Sequence, residues 1–214
     1  MNSIIFTRPE FDLGTRYLSY WCEELISLAR TKGKDVIDLR KRKASREEFE
    51  SRVKKLNPTF VMINGHGSEN CVAGQDNNIL VEAGNNEEIL FSRVTYAVSC
   101  RSAKLLGQLC SKEINTTYVG YKDDFIISMD GTSIGHPLKD NRARPFMEGS
   151  NQVVISLLKG HSAQDSSKRS KLVFENHYKR LLASNRDSNA RFDAMNIWWD
   201  MMNQVCLGDT DRTI

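Results

Sequence analysis

Residues 59–63 (TFVMI) form an unbroken apolar run too short for a helix, and residues 95–98 (TYAV) form another. A strand of this kind is covered on both faces, which points to a parallel sheet held between two layers of helix. The flanking sequence supplies the helices. Residues 3–7 (SIIFT) read as a strand closed by Arg8-Pro9, and Tyr17, Trp21, Leu25 and Leu28 then recur at helical spacing across 17–29. Lys32-Gly33-Lys34 stops that helix and 35–39 (DVIDL) reads as a second strand. Ser45 followed by Glu48 has the form of a capping box, opening a helix through Phe49, Val53 and Leu56 that Asn57-Pro58 ends. Residues 105–109 read as helix and 116–121 (TTYVGY) as strand. The alternation predicts βαβ units in an open, mostly parallel sheet with helices on both faces.

Past Asp130 the pattern changes. The segment 131–149 holds Gly131, Gly135, Pro137 and Pro145 with no clear period, and is expected to be a long loop. Helical patterns follow at 150–158, 168–182 and 191–207, giving a helical C-terminal third. Phe192, Met195, Trp199, Met202 and Cys206 fall on one stripe of the last. The stripe with Trp198, Trp199, Met201 and Met202 is expected to face the core, one of the adjacent tryptophans turning outward. Residues 183–190 (ASNRDSNA) are a polar connector. A single domain over 1–214, with an α/β core over 1–130, is the expected organisation.

Composition removes several classes of function. A net charge of +3 is small and interspersed, and no basic patch interleaves with aromatics, so no nucleic-acid partner is expected. The longest nearly apolar stretch, 153–158, is far below the roughly 20 residues of a membrane span, and no secretory leader opens the chain. No membrane association and a cytoplasmic location are the expectation. Five cysteines at irregular spacing argue against a disulfide framework and leave a thiol for chemistry.

Two residues capable of catalysis follow the two apolar runs. The first leads into Asn64-Gly65-His66-Gly67-Ser68 and the second into Ser99-Cys100-Arg101-Ser102. In an open α/β sheet chemistry gathers at the carboxyl ends of strands, so His66 and Cys100 are expected on one rim. His66 is the candidate base for a Cys100 thiolate, which a helix amino terminus after the strand would also favour. The flanking glycines permit close approach of backbone to substrate, and the amides of Gly67 and Cys100 are candidate oxyanion donors. His66, Cys71 and Cys100 do not complete a zinc set, because no Cys-x-x-Cys or His-x-x-x-His element accompanies them. No metal and no cofactor are expected.

Residues 60–67 (FVMINGHG) followed by 96–102 (YAVSCRS) resemble the His-Gly and Ala-x-Ser-Cys-x-Ser signatures of the caspase-like cysteine peptidases of clan CD, closest to CHAT and separase-type members. The resemblance implies a caspase-hemoglobinase fold, a three-layer sandwich, with a His66 and Cys100 dyad and endopeptidase activity without a cofactor. In such relatives the strand after the cysteine leads to an acidic residue at the floor of the S1 pocket, and Asp123 or Asp124 stands at that place. That implies cleavage after Arg or Lys, with a bidentate contact favouring Arg. Ser99 stands where the Gln-Ala-Cys pattern of true caspases has Ala, which departs from aspartate specificity.

The sequence therefore predicts a cysteine endopeptidase acting on protein or peptide substrates, with a regulatory protein as a further partner. Arg142, in the segment expected to be a loop, is the candidate self-cleavage site, since Pro145 hinders attack after Arg144. The competing expectation is a non-catalytic flavodoxin-like interaction module that docks a partner through its C-terminal helices.

Overall fold

The computed structural model describes residues 3–184 and 189–214. In chain order the elements are β1 (Ser3–Arg8), α1 (Leu13–Thr31), β2 (Asp35–Arg40), α2 (Arg46–Leu56), β3 (Phe60–Asn64), β4 (Cys71–Ala73), β5 (Ile79–Glu82), β6 (Val94–Val98), α3 (Leu106–Cys110), β7 (Thr117–Tyr121), α4 (Arg144–Leu158), α5 (Ala163–Leu182), α6 (Ala190–Asn203) and β8 (Gln204–Gly208). Strands β2-β1-β3-β6-β7-β8 form one sheet in that order, parallel except for β8, while β4 and β5 make a separate antiparallel hairpin. From β1 the chain runs outward to β2 and then returns to the other side of β1 as β3. This reversal opens a crevice at the carboxyl ends of β1 and β3, the place where such sheets take ligands.

The period-2 alternation of each strand feeds two cores. Ile4, Phe6, Phe60, Met62, Tyr96 and Tyr121 pack with Tyr17, Trp21 and Leu25 of α1 and with Val153, Val154 and Leu157 of α4. Ile5, Val61, Ile63, Ala97 and Tyr118 face the other way, against Phe49 and Val53 of α2, Leu106 of α3 and the β4–β5 hairpin. Burying each such side chain contributes about 1.5–3 kcal/mol, so the central strands are fixed from both faces at once. This is the three-layer, mostly parallel sandwich that the sequence predicts, with a helical C-terminal region.

Three local readings change. Helix α4 begins at Arg144, inside the segment expected to be a loop, and Pro145 sits in its first turn, where a fixed φ and a missing N–H suit a helix start. Buried Asp140 caps this start, its Oδ1 accepting from the amides of Arg142 (2.9 Å) and Ala143 (3.1 Å). The last helical pattern, expected to run to 207, stops at Asn203, and Cys206 lies in β8 rather than on a helical stripe. No Gly or Pro marks that change; pairing with β7 decides it. Finally, Phe192, Met195, Met202 and both tryptophans, Trp198 and Trp199, of α6 are exposed rather than one tryptophan alone, whereas Ala194, Ile197 and Asp200 face inward. Of the connector expected at 183–190, residues 185–188 lie outside the described residues.

Candidate active site

His66 follows β3 on a loop with little steric freedom. Gly65 has a φ of +149°, and a Cβ there would stand 2.1 Å from the carbonyl oxygen of Ala73. A Cβ on Gly67 would lie 2.9 Å from the Cys100 carbonyl oxygen and equally close to Ser99 Cβ. The two glycines thus let the histidine loop lie between the β4–β5 hairpin and the loop after β6. The hairpin holds it there, through Ala73 N donating to the His66 carbonyl (2.9 Å) and Ser68 N donating to that of Cys71 (3.0 Å).

The imidazole itself is held from the β1–α1 loop. Asp12 caps α1, accepting from the Thr15 amide (2.8 Å), and its second oxygen meets His66 Nε2 at 2.5 Å. Phe11 packs edge-on against the imidazole, with centroids 5.7 Å apart. Burial would raise the Asp12 carboxyl, but hydrogen bonds from His66 and Thr15 outweigh it and hold the group below the usual carboxylate range. An ionised Asp12 accepting from Nε2–H leaves Nδ1 as the basic nitrogen. The sequence analysis did not single out Asp12; Asp-x-x-Thr before the first helical pattern signals a cap, but nothing local shows that its carboxylate reaches a histidine 54 positions on.

Cys100 follows β6 and is half-buried. Its Sγ lies 3.9 Å from the Phe125 carbonyl oxygen. Burial pushes the thiol up, and the charge of Asp124 adds to this, against the Phe125 contact and the charge of Arg101. The expected help from a helix amino terminus is absent, because α3 begins only at Leu106. The cysteine loop is fastened instead to the strand and loop beyond it: Arg101 N donates to the Asp123 carbonyl (3.1 Å) and Ala103 N to that of Tyr121 (3.0 Å). Asp124 pairs with Arg101 at 2.9 Å, while the Asp123 carboxylate accepts from the Asp124 amide (2.8 Å) and has no ion pair among the described residues.

The segment after β7 is fixed in turn to α6. Trp199 Nε1 donates to the Asp124 carbonyl (3.0 Å), and Ile126 N donates to Asp200 Oδ1 (2.9 Å). Asp200 is fully buried with its other oxygen unpartnered among the described residues, and burial raises its carboxyl well above the usual range.

His66 and Cys100 line one small hollow of about 110 Å³, together with Thr15, Val98, Phe125 and Ile127. Among the described residues no hydrogen bond joins the two side chains, and neither the Gly67 nor the Cys100 amide donates to a protein acceptor. Cys22, Cys110 and Cys206 lie apart from this rim, their thiols pushed up to about 12 by burial. Arg142 lies elsewhere, its guanidinium bidentate on buried Asp193 (2.8 and 2.9 Å), so cleavage after it requires that this pair and the Asp140 cap be opened. No helix among the described residues is long and apolar enough to cross a membrane.

The architecture is that of the caspase-hemoglobinase-like α/β proteins. The chain is similar to the crystal structure of the Arg-specific cysteine proteinase gingipain R, with a TM-score of 0.62 and 10% sequence identity. The match covers 99% of this chain and 47% of that one, so the chain spans about half the length of its structural neighbour. No family model and no curated protein matches the sequence.

Proposed function

We propose that the chain is a clan CD cysteine endopeptidase that cleaves after a basic residue through Cys100 and His66. The observation that carries this reading is the convergence of His66 and Cys100 on one hollow beside two unengaged backbone amides. Likeness in fold to an Arg-specific cysteine proteinase agrees with it. In the reaction His66 Nδ1 takes the thiol proton and Cys100 Sγ attacks the scissile carbonyl. The amides of Gly67 and Cys100 receive the oxyanion, and the imidazolium, supported by Asp12, protonates the departing amine. Water activated by the neutral imidazole then releases the acyl group and restores the thiol. The carboxylates of Asp123 and Asp124, next to the cysteine loop, supply the negative potential for an Arg or Lys side chain.

A positional peptide library combined with a thiol-directed probe tests this. Wild type is expected to cleave after Arg or Lys and to label at Cys100. Cys100→Ala and His66→Ala should each lose cleavage by at least about 10³-fold while melting like wild type. Asp123→Lys or Asp124→Lys should remove the basic preference; Asp123→Lys should leave alkylation by a small reagent unchanged, and Asp124→Lys should speed it, since the Asp124 charge holds the Cys100 thiol up. Cleavage surviving in Cys100→Ala overturns the nucleophile; a wild-type preference for Asp overturns the pocket. Mass spectrometry of wild type and Cys100→Ala after long incubation tests self-cleavage at Arg142, which requires nicking in the first alone.

A further inference from the structure

Helices α5 and α6 pack side by side and leave a long groove on their outer side, formed by two adjoining hollows of about 590 and 640 Å³ that share Tyr178 and Trp198. Its apolar surface is large: Leu172 is 56% exposed, Met195 67%, Trp198 45% and Met202 55%. Scattered exposed apolar residues are ordinary, but a contiguous apolar groove edged by charge marks an interaction surface.

The charge at its edge selects the occupant. Lys168 and Lys179 have carboxylate partners in Asp165 (3.8 Å) and Glu175 (2.6 Å). Lys171 has no ion pair among the described residues; burial disfavours its charge, and the charge of Lys122, also without an ion pair, adds to this. Three lysines, Lys168, Lys171 and Lys179, line the groove against the single carboxylate of Glu175, and Lys171 stands there without a counter-charge that a partner's carboxylate would supply. A second copy of the chain fits poorly, because a two-fold contact through this groove would bring the lysines of both copies together.

We propose that the α5–α6 groove docks an amphipathic segment of a partner protein, laying apolar side chains on Leu172, Trp198 and Met202 and carboxylates against Lys171 and Lys122. The partner is recognised as an apolar stripe flanked by Glu or Asp, the helix-in-groove mode. Affinity falls as salt rises, since the lysines are at the surface. This docking is independent of the chemistry at Cys100.

Titration of the whole chain with two synthetic helical peptides tests the proposal, one with a Leu/Phe stripe and a Glu face, the other with Lys for every Glu. Tryptophan emission reports occupancy through Trp198 and Trp199, since Trp21 is buried. The Glu peptide should bind saturably with a blue shift, and the Lys peptide at least about tenfold more weakly. Lys122→Glu with Lys171→Glu should reverse that order, and Leu172→Glu should abolish binding by both. Because Lys122 and Leu172 are exposed and Lys171 is half-buried at the groove, each variant should melt like wild type; Leu172→Ser replaces Leu172→Glu if that one does not. Absence of saturable binding, equal binding of both peptides, preferential binding to phosphatidylserine vesicles, or a dimer that buries Trp198 would each overturn the proposal.

Discussion

The histidine loop and the cysteine loop reach the same hollow by different physical means. Around His66 the fit is steric, with Gly65 and Gly67 passing where no side chain could, between a hairpin and the neighbouring loop. Around Cys100 it is electrostatic and hydrogen-bonded: Arg101 holds Asp124, backbone amides hold Asp123 and Tyr121, and Asp200 and Trp199 of α6 hold the segment beyond. The first arrangement resists any gain in volume, and only the pairing of His66 with Asp12 makes it respond to pH. The second is sensitive to charge. One rim therefore joins a sterically held histidine loop to a cysteine whose surroundings respond to charge.

The sharpest break in this contrast is Gly65→Ala. With a positive φ and a backbone oxygen at 2.1 Å from the new Cβ, it should cost about 2–5 kcal/mol in chemical denaturation and remove peptide cleavage with it. A variant that melts like wild type would show that the histidine loop is not sterically fixed. Next is Asp12→Asn, whose Oδ1 can still cap α1, so the melting temperature should hold. The charge supporting the imidazolium is lost, and kcat/KM should fall by roughly 10²-fold. An equal fall in stability and activity would instead make Asp12 a cap alone.

Asp200→Asn probes the cysteine side through pH. Burial raises this carboxyl in the fold, whereas in the unfolded chain it ionises near about pH 4. Its protonated form therefore lends full stability below that pH, and the contribution is lost as pH rises toward the folded value. The amide carries no such slope, so Asp200→Asn should melt higher than wild type at pH 7 and no higher at pH 4. The gap should be a few degrees, at about 2–4 °C per kcal/mol. Equal melting at both pH values would mean that Asp200 is solvated in solution. The smallest effect belongs to Arg101→Ala. The pair is exposed, so stability should change by less than about 1 kcal/mol, but Asp124 is then unopposed and Cys100 should alkylate more slowly at neutral pH. An unchanged alkylation rate would detach the ion pair from the thiol.

The elements legible in the sequence are those whose burial is two-sided or whose ends are marked. The runs at 59–63 and 95–98 could only be central strands, and Asn57-Pro58 stops a helix in any context. Pro145 was ambiguous, because a proline reads as a breaker unless the cap before it is seen, and the cap here comes from buried Asp140. The stripe Phe192, Met195, Trp199 and Met202 misleads for a different reason. Periodicity reports that one face of a helix is apolar, not that this chain covers it; α6 instead turns Ala194, Ile197 and Asp200 to the core. Asp12 and His66 meet only through the return of the chain at β3, a juxtaposition that no window of sequence contains.

Strand β8 pairs antiparallel with β7, although α4, α5 and α6 lie between them in the chain. During synthesis the outer edge of β7 stays unsatisfied until Gln204–Gly208 leaves the ribosome, and the segment bearing Phe125 and Ile127 has no anchor until Trp199 and Asp200 have been added. An open strand edge is a template for wrong pairing, so this is the interval in which a nascent chain most needs a chaperone. The same order of events means that the hollow around Cys100 and His66 is completed only after α6 and β8 have been added.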